Sequence, residues 1–427
     1  MSLTTDTAFQ IMASNCRFGR GITHEVGMDL VDLGAKRVLL VIDPAVRRVA
    51  TGSIVQQSLE DNRLDFAVFD AIEIEPTDVS FLAASKFATE GSFDAIVAVG
   101  GGSTIDTAKA ANVFATHPAD FLDYVNAPIG KGKAVPGPLK PLIAIPTTAG
   151  TGSETTGVAV FDLLSRRVKT GIASKFVRPT VGIVDWDNTR TQPPAVAASA
   201  GLDVLSHALE SFTAIPYDQR LRPARPSERS AYQGANPMSD VWALRALEIV
   251  AEFLPRAVAD TSDEEARMQM ILAASMAGIG FGNAGVHLPH AMAYPVAGMV
   301  REFRPAGFAT DHAMVPHGMS VILHTPAVAR FTAPSSPQRH LQGAKALGAD
   351  ISRASPTDAG RILADRVIHF MQTLKMPRGL KEVGYGSADI PVLVEGTLAQ
   401  QRLINLSPVA TGAEELSRMF EDSMVIW

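Results

Sequence analysis

The chain has 427 residues, 46% of them apolar and 19% charged, and 38 Lys plus Arg stand against 44 Asp plus Glu for a formal net charge of −6. That length suits two or three domains with sizeable cores, and that apolar fraction excludes wholesale disorder. A mildly acidic chain without basic blocks is not built to hold nucleic acid, and a single cysteine, Cys16, excludes a disulfide framework or a cysteine-based metal cluster. Any metal has to be held by His, Asp or Glu. The N-terminal residues carry neither a positive n-region nor an apolar h-region. The expectation is therefore a cytoplasmic, multi-domain enzyme with no membrane partner.

Up to about residue 194 one texture repeats: a short β-branched apolar run, a turn, then helical spacing. Runs at 38–42, 66–69, 95–99, 142–145 and 181–184 predict strands, and their alternation with helices predicts βαβ units around a parallel sheet. Ligands of such sheets collect at the carboxyl ends of the strands. From about residue 195 the strand pattern stops. Spacing or composition predicts helices over 195–212, 240–258, 263–279, 337–347, 357–374 and 413–424. Pro- and Arg-rich segments at 215–237 and 301–316 interrupt them. The expected organisation is an α/β domain over 1–194 and an all-helical domain over 195–427. Residues 268–300 contain no Asp, Glu, Lys or Arg, a length that would span a bilayer. Asn283, His287, Pro289, His290 and Pro295 interrupt this stretch, so it is predicted to be a buried element of the helical domain.

Two strand ends carry phosphate-binding chemistry. Gly100-Gly101-Gly102-Ser103 follows a strand and opens a helix containing Asp106 and Lys109. Glycines there let backbone N–H groups approach a phosphate. Pro146-Thr147-Thr148-Ala149-Gly150-Thr151-Gly152-Ser153-Glu154 follows another strand, with small hydroxyl residues suited to phosphate and ribose. Two such clusters point to a dinucleotide. Asp43, after an early strand, can accept bonds from ribose hydroxyls and would repel a 2′-phosphate, which favours NAD over NADP.

The helical half holds most of the histidines. Asp203 and His207 are four apart, so a helix puts them on one face. Their apolar neighbours Leu202, Val204, Leu205 and Leu209 point to a buried setting, where an unpaired Asp is costly. His287 and His290 lie in the charge-free stretch, and His317 lies in Val315-Pro316-His317-Gly318. Each alone reads as a packed histidine. Together with a buried Asp they read as a metal site without thiolates, which suits Fe(II), Zn(II), Mn(II) or Ni(II).

Five motifs occur in one order: Gly-Gly-Gly-Ser-x-x-Asp-x-x-Lys at 100–109, Thr-Thr-x-Gly-Thr-Gly-Ser-Glu at 147–154, Gly-Leu-Asp-x-x-x-His at 201–207, His290-Ala291-Met292-x-Tyr-Pro, and Pro316-His317-Gly318. With them the chain resembles the iron-containing alcohol dehydrogenase family over nearly its whole length. The resemblance implies the dehydroquinate synthase-like fold, a Rossmann-like parallel-sheet NAD-binding domain followed by an all-helical metal-binding domain. It implies Asp203, His207, His290 and His317 as metal ligands, iron first and zinc second. It also implies Gly100, Gly101, Gly102, Ser103, Asp106, Thr147, Thr148, Thr151 and Lys169 around the cofactor.

Two departures stand out. Where many members have a histidine four residues after the third ligand, this chain has Tyr294. With an unperturbed pKa near 10, Tyr294 suits hydrogen-bond donation, and His287 offers a substitute proton relay. The segment 215–237 is long, and its Arg222 and Arg225 could clamp a substrate carboxylate. The runs 139–144, 231–234 and 278–287, with 121–125 and 127–133, resemble the hydroxyacid–oxoacid transhydrogenase branch. That branch implies hydride exchange between a hydroxy acid such as 4-hydroxybutyrate and an oxo acid such as 2-oxoglutarate, with NAD kept bound. The alternatives are an ordinary NAD-dependent alcohol dehydrogenase and a metal lyase resembling dehydroquinate synthase. A homodimer is the default assembly.

Overall fold

The computed structural model describes residues 4–308, 310 and 312–427. The chain divides into two compact units, one over Ala13–Gln192 and one formed by Pro193–Trp427 together with the N-terminal segment up to Met12.

The first unit is built on a six-stranded sheet. Its strands are β1 (Asn15–Gly19), β2 (Arg37–Ile42), β3 (Asp65–Phe69), β4 (Ala95–Gly100), β5 (Leu142–Pro146) and β8 (Val181–Asp185), in the order β1-β8-β5-β4-β2-β3 with every pair parallel. The apolar runs form strands because both sheet faces are covered. Val38, Leu40, Ile42, Val97 and Val99 join one core with Val26, Leu30, Val55 and Leu59. Leu39, Val41, Ile96 and Ala98 join another with Ala84, Ile105, Ala108 and Ala111. Five strands lie where the apolar runs put them. The sequence reading missed β1, an edge strand with the polar residues Asn15 and Arg17. It also missed the antiparallel pair β6 (Val158–Leu163) and β7 (Val168–Ala173).

The strand order reverses between β2 and β4. From β2 the chain moves outward to β3, and from β4 it moves the other way to β5. That reversal is the switch point where open α/β sheets bind ligands. It sets Asp43, at the end of β2, beside the end of β4, and the Asp43 N–H donates to Val99 O at 3.1 Å.

The second unit is helical. Long helices run over Pro194–Thr213, Pro237–Ala259 and Glu264–Ala284. Asp263 caps the third by accepting from the Ala266 N–H at 3.0 Å, and Glu264 and Glu265 occupy its first turn. The charge-free stretch becomes this helix and the next, Leu288–Gly298, bent by 104°. Gly285, at φ +98°, makes the turn between them. Both helices are largely buried. Among the described residues no single helix is long and apolar enough to cross a membrane.

The Arg-rich segment after helix 194–213 is irregular. A strap from the N-terminus holds it. The Asp6 N–H donates to Arg220 O at 2.8 Å, and the Arg222 N–H donates to Thr4 O at 3.2 Å. Arg229 grips the buried Asp6 carboxylate with two bonds of 2.8 Å each. Gln10 and Gln233 pair reciprocally at 2.8 and 2.7 Å, as do Met12 and Asn283 at 2.8 and 2.9 Å.

Arg229→Ala leaves the Asp6 carboxylate buried without its cation. It is expected to lower unfolding stability, because two charge-assisted hydrogen bonds are lost. A double replacement, Asp6→Asn with Arg229→Ala, should recover part of the loss in urea denaturation.

Candidate metal centre and cofactor loops

The cofactor loops are built by close backbone packing. Helix Gly102–Thr116 starts at Gly101 with no side-chain cap, so its first N–H groups are available to a ligand. A Cβ on Gly102 would stand 2.6 Å from Thr151 Cγ2, one on Gly101 would stand 3.2 Å from Thr148 Oγ1, and one on Gly100 would stand 2.3 Å from Thr104 Oγ1. The Thr147 N–H donates to Gly100 O at 3.0 Å. The glycine turn and the threonine turn thus form one surface, with Gly100 opposite Pro146 in the β4–β5 register.

Beneath it lies a buried polar knot. Lys109 Nζ donates to Ser153 Oγ at 2.6 Å, Thr156 Oγ1 at 3.2 Å and Val158 O at 2.9 Å. Asp106 accepts from Ser153 Oγ at 2.6 Å on one oxygen and from the Val160 N–H at 2.9 Å on the other. The carboxylate expected to touch the cofactor is therefore engaged in tying the two loops together. Burial pushes Lys109 down to about 8, against the pull of Asp106 and Glu154.

Two other expected cofactor residues also have protein partners. Asp43 Oδ1 caps the short turn after β2, accepting from the Ala45 and Val46 N–H groups at 2.7 and 3.1 Å. Lys169, on β7, is buried, and its ammonium lies 2.8 Å from both Glu75 and Asp162. Burial pushes its pKa down, but the two carboxylates outweigh burial and raise it.

The metal constellation is assembled in the helical unit. Helix 194–213 presents Asp203, His207 and Glu210 at i, i+4 and i+7, all buried. Helix 288–298 brings His290, and the short helix His317–Ile322 brings His317. Two glycines permit the approach. A Cβ on Gly201 would stand 2.1 Å from Leu254 Cδ1, and one on Gly318 would stand 2.0 Å from Ser199 O and 2.9 Å from Asp203 Cβ. Only glycine after His317 lets that turn lie against helix 194–213, where the Met319 N–H also donates to Ser199 Oγ at 3.1 Å.

Three imidazole Nε2 atoms then surround Asp203 Oδ1, at 3.7 Å from His207, 3.6 Å from His290 and 3.8 Å from His317. The four donor atoms lie within 4.8 Å of one another. A tetrahedral ion with ligands at about 2.1 Å needs edges of about 3.4 Å, so the set is close to the size an ion requires. Asp203 Oδ1 and His290 Nε2 are buried with no hydrogen-bond partner, a costly arrangement that an ion would relieve. Burial pushes the Asp203 carboxyl up, but the three imidazoles outweigh it and hold the group well below the usual carboxylate range. Burial takes His207 down to about 3. His290 rises to about 9 against burial, because Glu210 and Asp203 flank it.

His287 and Tyr294 do not join the four. His287 Nε2 lies 3.0 Å from Thr213 Oγ1, and burial takes its pKa down to about 4. Tyr294 is buried one turn after His290, its ring 6.4 Å from that of His317. Arg222 and Arg225 are exposed. The sequence reading missed Glu210 and Phe281. Phe281 stacks on the His207 ring at 4.0 Å and 10°. The signal for Glu210 was present, a carboxylate three residues past His207 on an apolar helix.

Residues 13–186 match the family described as iron-containing alcohol dehydrogenase, and residues 228–424 match the Fe-containing alcohol dehydrogenase family, C-terminal. The chain is 54% identical over 426 residues to the mitochondrial hydroxyacid-oxoacid transhydrogenase of Rattus norvegicus, covering 99% of this chain and 91% of the relative. The Homo sapiens protein of the same name is 52% identical, with 99% and 91% covered. A crystal structure of a 1,3-propanediol oxidoreductase superposes with a TM-score of 0.85 at 27% identity, covering 98% of this chain and 100% of that one. A sulfoacetaldehyde reductase from Bifidobacterium kashiwanohense in complex with NAD+ does so at 0.77 and 26%, covering 97% and 98%. The transhydrogenases are named mitochondrial, which corrects the cytoplasmic location expected from the sequence. That expectation rested on the lack of a secretory h-region, a test blind to organelle addresses.

Gly318→Ala is expected to lower stability by about 1–3 kcal/mol and to deplete metal in the purified protein, measured by elemental analysis. Lys109 supplies a pH signature. Its folded pKa of about 8 lies below its ordinary 10.5, so the unfolded chain binds more protons between those values. Stability from this group therefore rises as pH climbs from about 8 to 10.5, and the burial penalty is fully present below that window. In urea unfolding, wild type should gain on Lys109→Met across it. A constant gap contradicts the assignment.

Proposed function

The chain belongs to the iron-containing alcohol dehydrogenase family, and on that premise we propose that it is a hydroxyacid–oxoacid transhydrogenase that keeps NAD bound while hydride passes from a 4-hydroxybutyrate-type acid to a 2-oxoglutarate-type acid. One observation carries this reading: 54% identity, across 99% of the chain, to a relative named for that activity. The two solved structures stand at 26–27%.

Two groups beyond the protein are needed, and its residues suit both. Asp203, His207, His290 and His317 would hold a divalent cation, which we take as Fe(II), with Zn(II) compatible with the same donors. Bound there, the cation supplies a Lewis acid for the substrate's carbinol oxygen. NAD supplies the hydride acceptor. Gly100, Gly101, Gly102 and Ser103 would present the N–H groups of helix 102–116 to its pyrophosphate. Thr147, Thr148 and Thr151 would border the same surface, and Asp43 stands at the neighbouring strand end for the adenosine ribose.

The remaining work falls to the protein. Asp203 stays ionised among three imidazoles and keeps the centre's negative charge in place. His317 is the most accessible ligand, its side chain 24% exposed against 3–6% for the other three. We assign the substrate's approach to that side. Tyr294, near His317, would donate a hydrogen bond there and not shuttle protons near neutral pH. His287, with its neutral ring on Thr213, would brace the turn before His290. Over a cycle the hydroxy acid loses one hydroxyl proton and one carbinol hydride and becomes an aldehyde. The oxo acid takes up both.

Purified protein given 4-hydroxybutyrate and 2-oxoglutarate without added NAD should form succinic semialdehyde and 2-hydroxyglutarate in equal amounts. Turnover that needs added NAD and releases NADH would mark an ordinary dehydrogenase instead. His207→Ala and His317→Ala should each lose metal and at least about 100-fold in rate. If both keep metal and rate, the metal-centred reading is wrong.

A further inference from the structure

We infer that Glu210 is a positioning residue for the metal centre: its carboxylate holds His290 in the one orientation and tautomer that presents Nε2 to the ion. The inference rests on the metal-centred reading above. Glu210 is 1% exposed and lies one turn past His207 on helix 194–213. Its Oε1 lies 2.6 Å from His290 Nδ1. Its Oε2 accepts from the His287 N–H at 2.7 Å and from the His290 N–H at 3.4 Å.

Three consequences follow from these contacts. A carboxylate accepting backbone N–H groups is an acceptor on both oxygens, so Nδ1 must carry the proton of the Nδ1–Glu210 bond. The lone pair of neutral His290 is then on Nε2, the atom that faces Asp203 Oδ1 at 3.6 Å. Second, helix 288–298 has no side-chain cap of its own at His287. Glu210 reaches across from another helix to take that role and fixes the depth at which His290 enters the cluster. Third, the charges balance. Three neutral imidazoles and Asp203 alone would leave a buried divalent ion with a net positive charge. With Glu210 in contact with His290 the buried set sums to zero.

The ligands are not braced alike. His207 Nδ1 is buried with no hydrogen-bond partner, and its ring is held by stacking on Phe281 and on His290, the latter at 4.7 Å. His290 is held by a hydrogen bond where His207 is not, and it supports the ring stacked on it. Carboxylate partners of this kind typically hold about 10–100-fold of a site's metal affinity.

The test is metal affinity, read by chelator competition with zinc on the full-length protein. Glu210→Gln should bind zinc about 10–100-fold more weakly than wild type, because an amide cannot accept at Nδ1 and at two backbone N–H groups together. Glu210→Asp keeps the charge but falls one methylene short of Nδ1, and it should also weaken binding. This second variant decides the matter if the first does not fold. A merely structural residue would lower the melting temperature of the metal-free protein and leave the zinc Kd unchanged, and that result overturns the inference. Asp203→Asn run in parallel separates the two readings. If it loses zinc while folded Glu210 variants bind as wild type does, only the role of Glu210 falls. If Asp203→Asn also binds normally, the metal centre itself falls.

Discussion

Asp203 carries an ionised carboxylate into the packed centre of the helical unit and leaves one oxygen there without a protein donor. An uncompensated charge in such a place costs several kcal/mol, so the surrounding chain has to be arranged around what will compensate it. Much of the local sequence answers to that demand. Gly201 lets helix 194–213 seat against Leu254, and Gly318 lets the His317 turn lie on Ser199 and Asp203. Pro289 and Gly285 shape the entry of His290, and Glu210 fixes its ring from behind. Each residue looks local, yet each sets where one imidazole nitrogen stands relative to one oxygen.

The α/β unit solves a different problem with the same means. The pyrophosphate proposed to bind there would need N–H groups close at hand, so the backbone would have to be bare where it approaches. Gly100, Gly101 and Gly102 would provide this, and the neighbouring threonines fill the volume that three Cβ atoms would otherwise occupy. Such a surface is held from below. Lys109 and Asp106 cross-link the two loops through Ser153, which makes their relative position a property of the unit's interior. Burying the Lys109 ammonium beside the part-buried Asp106 carboxylate demands saturated hydrogen bonding, and the geometry supplies it.

What could be read from the sequence and what could not divide along physical lines. Central strands announce themselves because burial on two faces demands unbroken apolar runs, so β2, β4, β5 and β8 were legible. The edge strand β1, Asn-Cys-Arg-Phe-Gly, has one side open to water and gives no such signal. Of the candidate ligand set, Asp203 and His207 were readable as an i,i+4 pair. His290 and His317 were candidates whose convergence only a fold can establish. Glu210 went unseen because a lone glutamate on a helix ordinarily reads as solvated, and nothing local says that another helix will come to it. Lys169 and Asp106 show the converse: residues expected at the cofactor hold carboxylate or hydroxyl partners inside the protein.

The N-terminal strap has a consequence for the order of assembly. Gln10, Met12 and Asp6 find their partners at Gln233, Asn283 and Arg229, more than two hundred residues downstream, while the whole α/β unit lies between. During synthesis residues 13–192 form a continuous stretch that can fold as soon as it emerges. The strap that precedes it must wait as loose chain until the first helices of the other unit have been made. The α/β unit is thus an insertion within the helical one, and closing that long loop is an entropic step that only the late-arriving partners can reward.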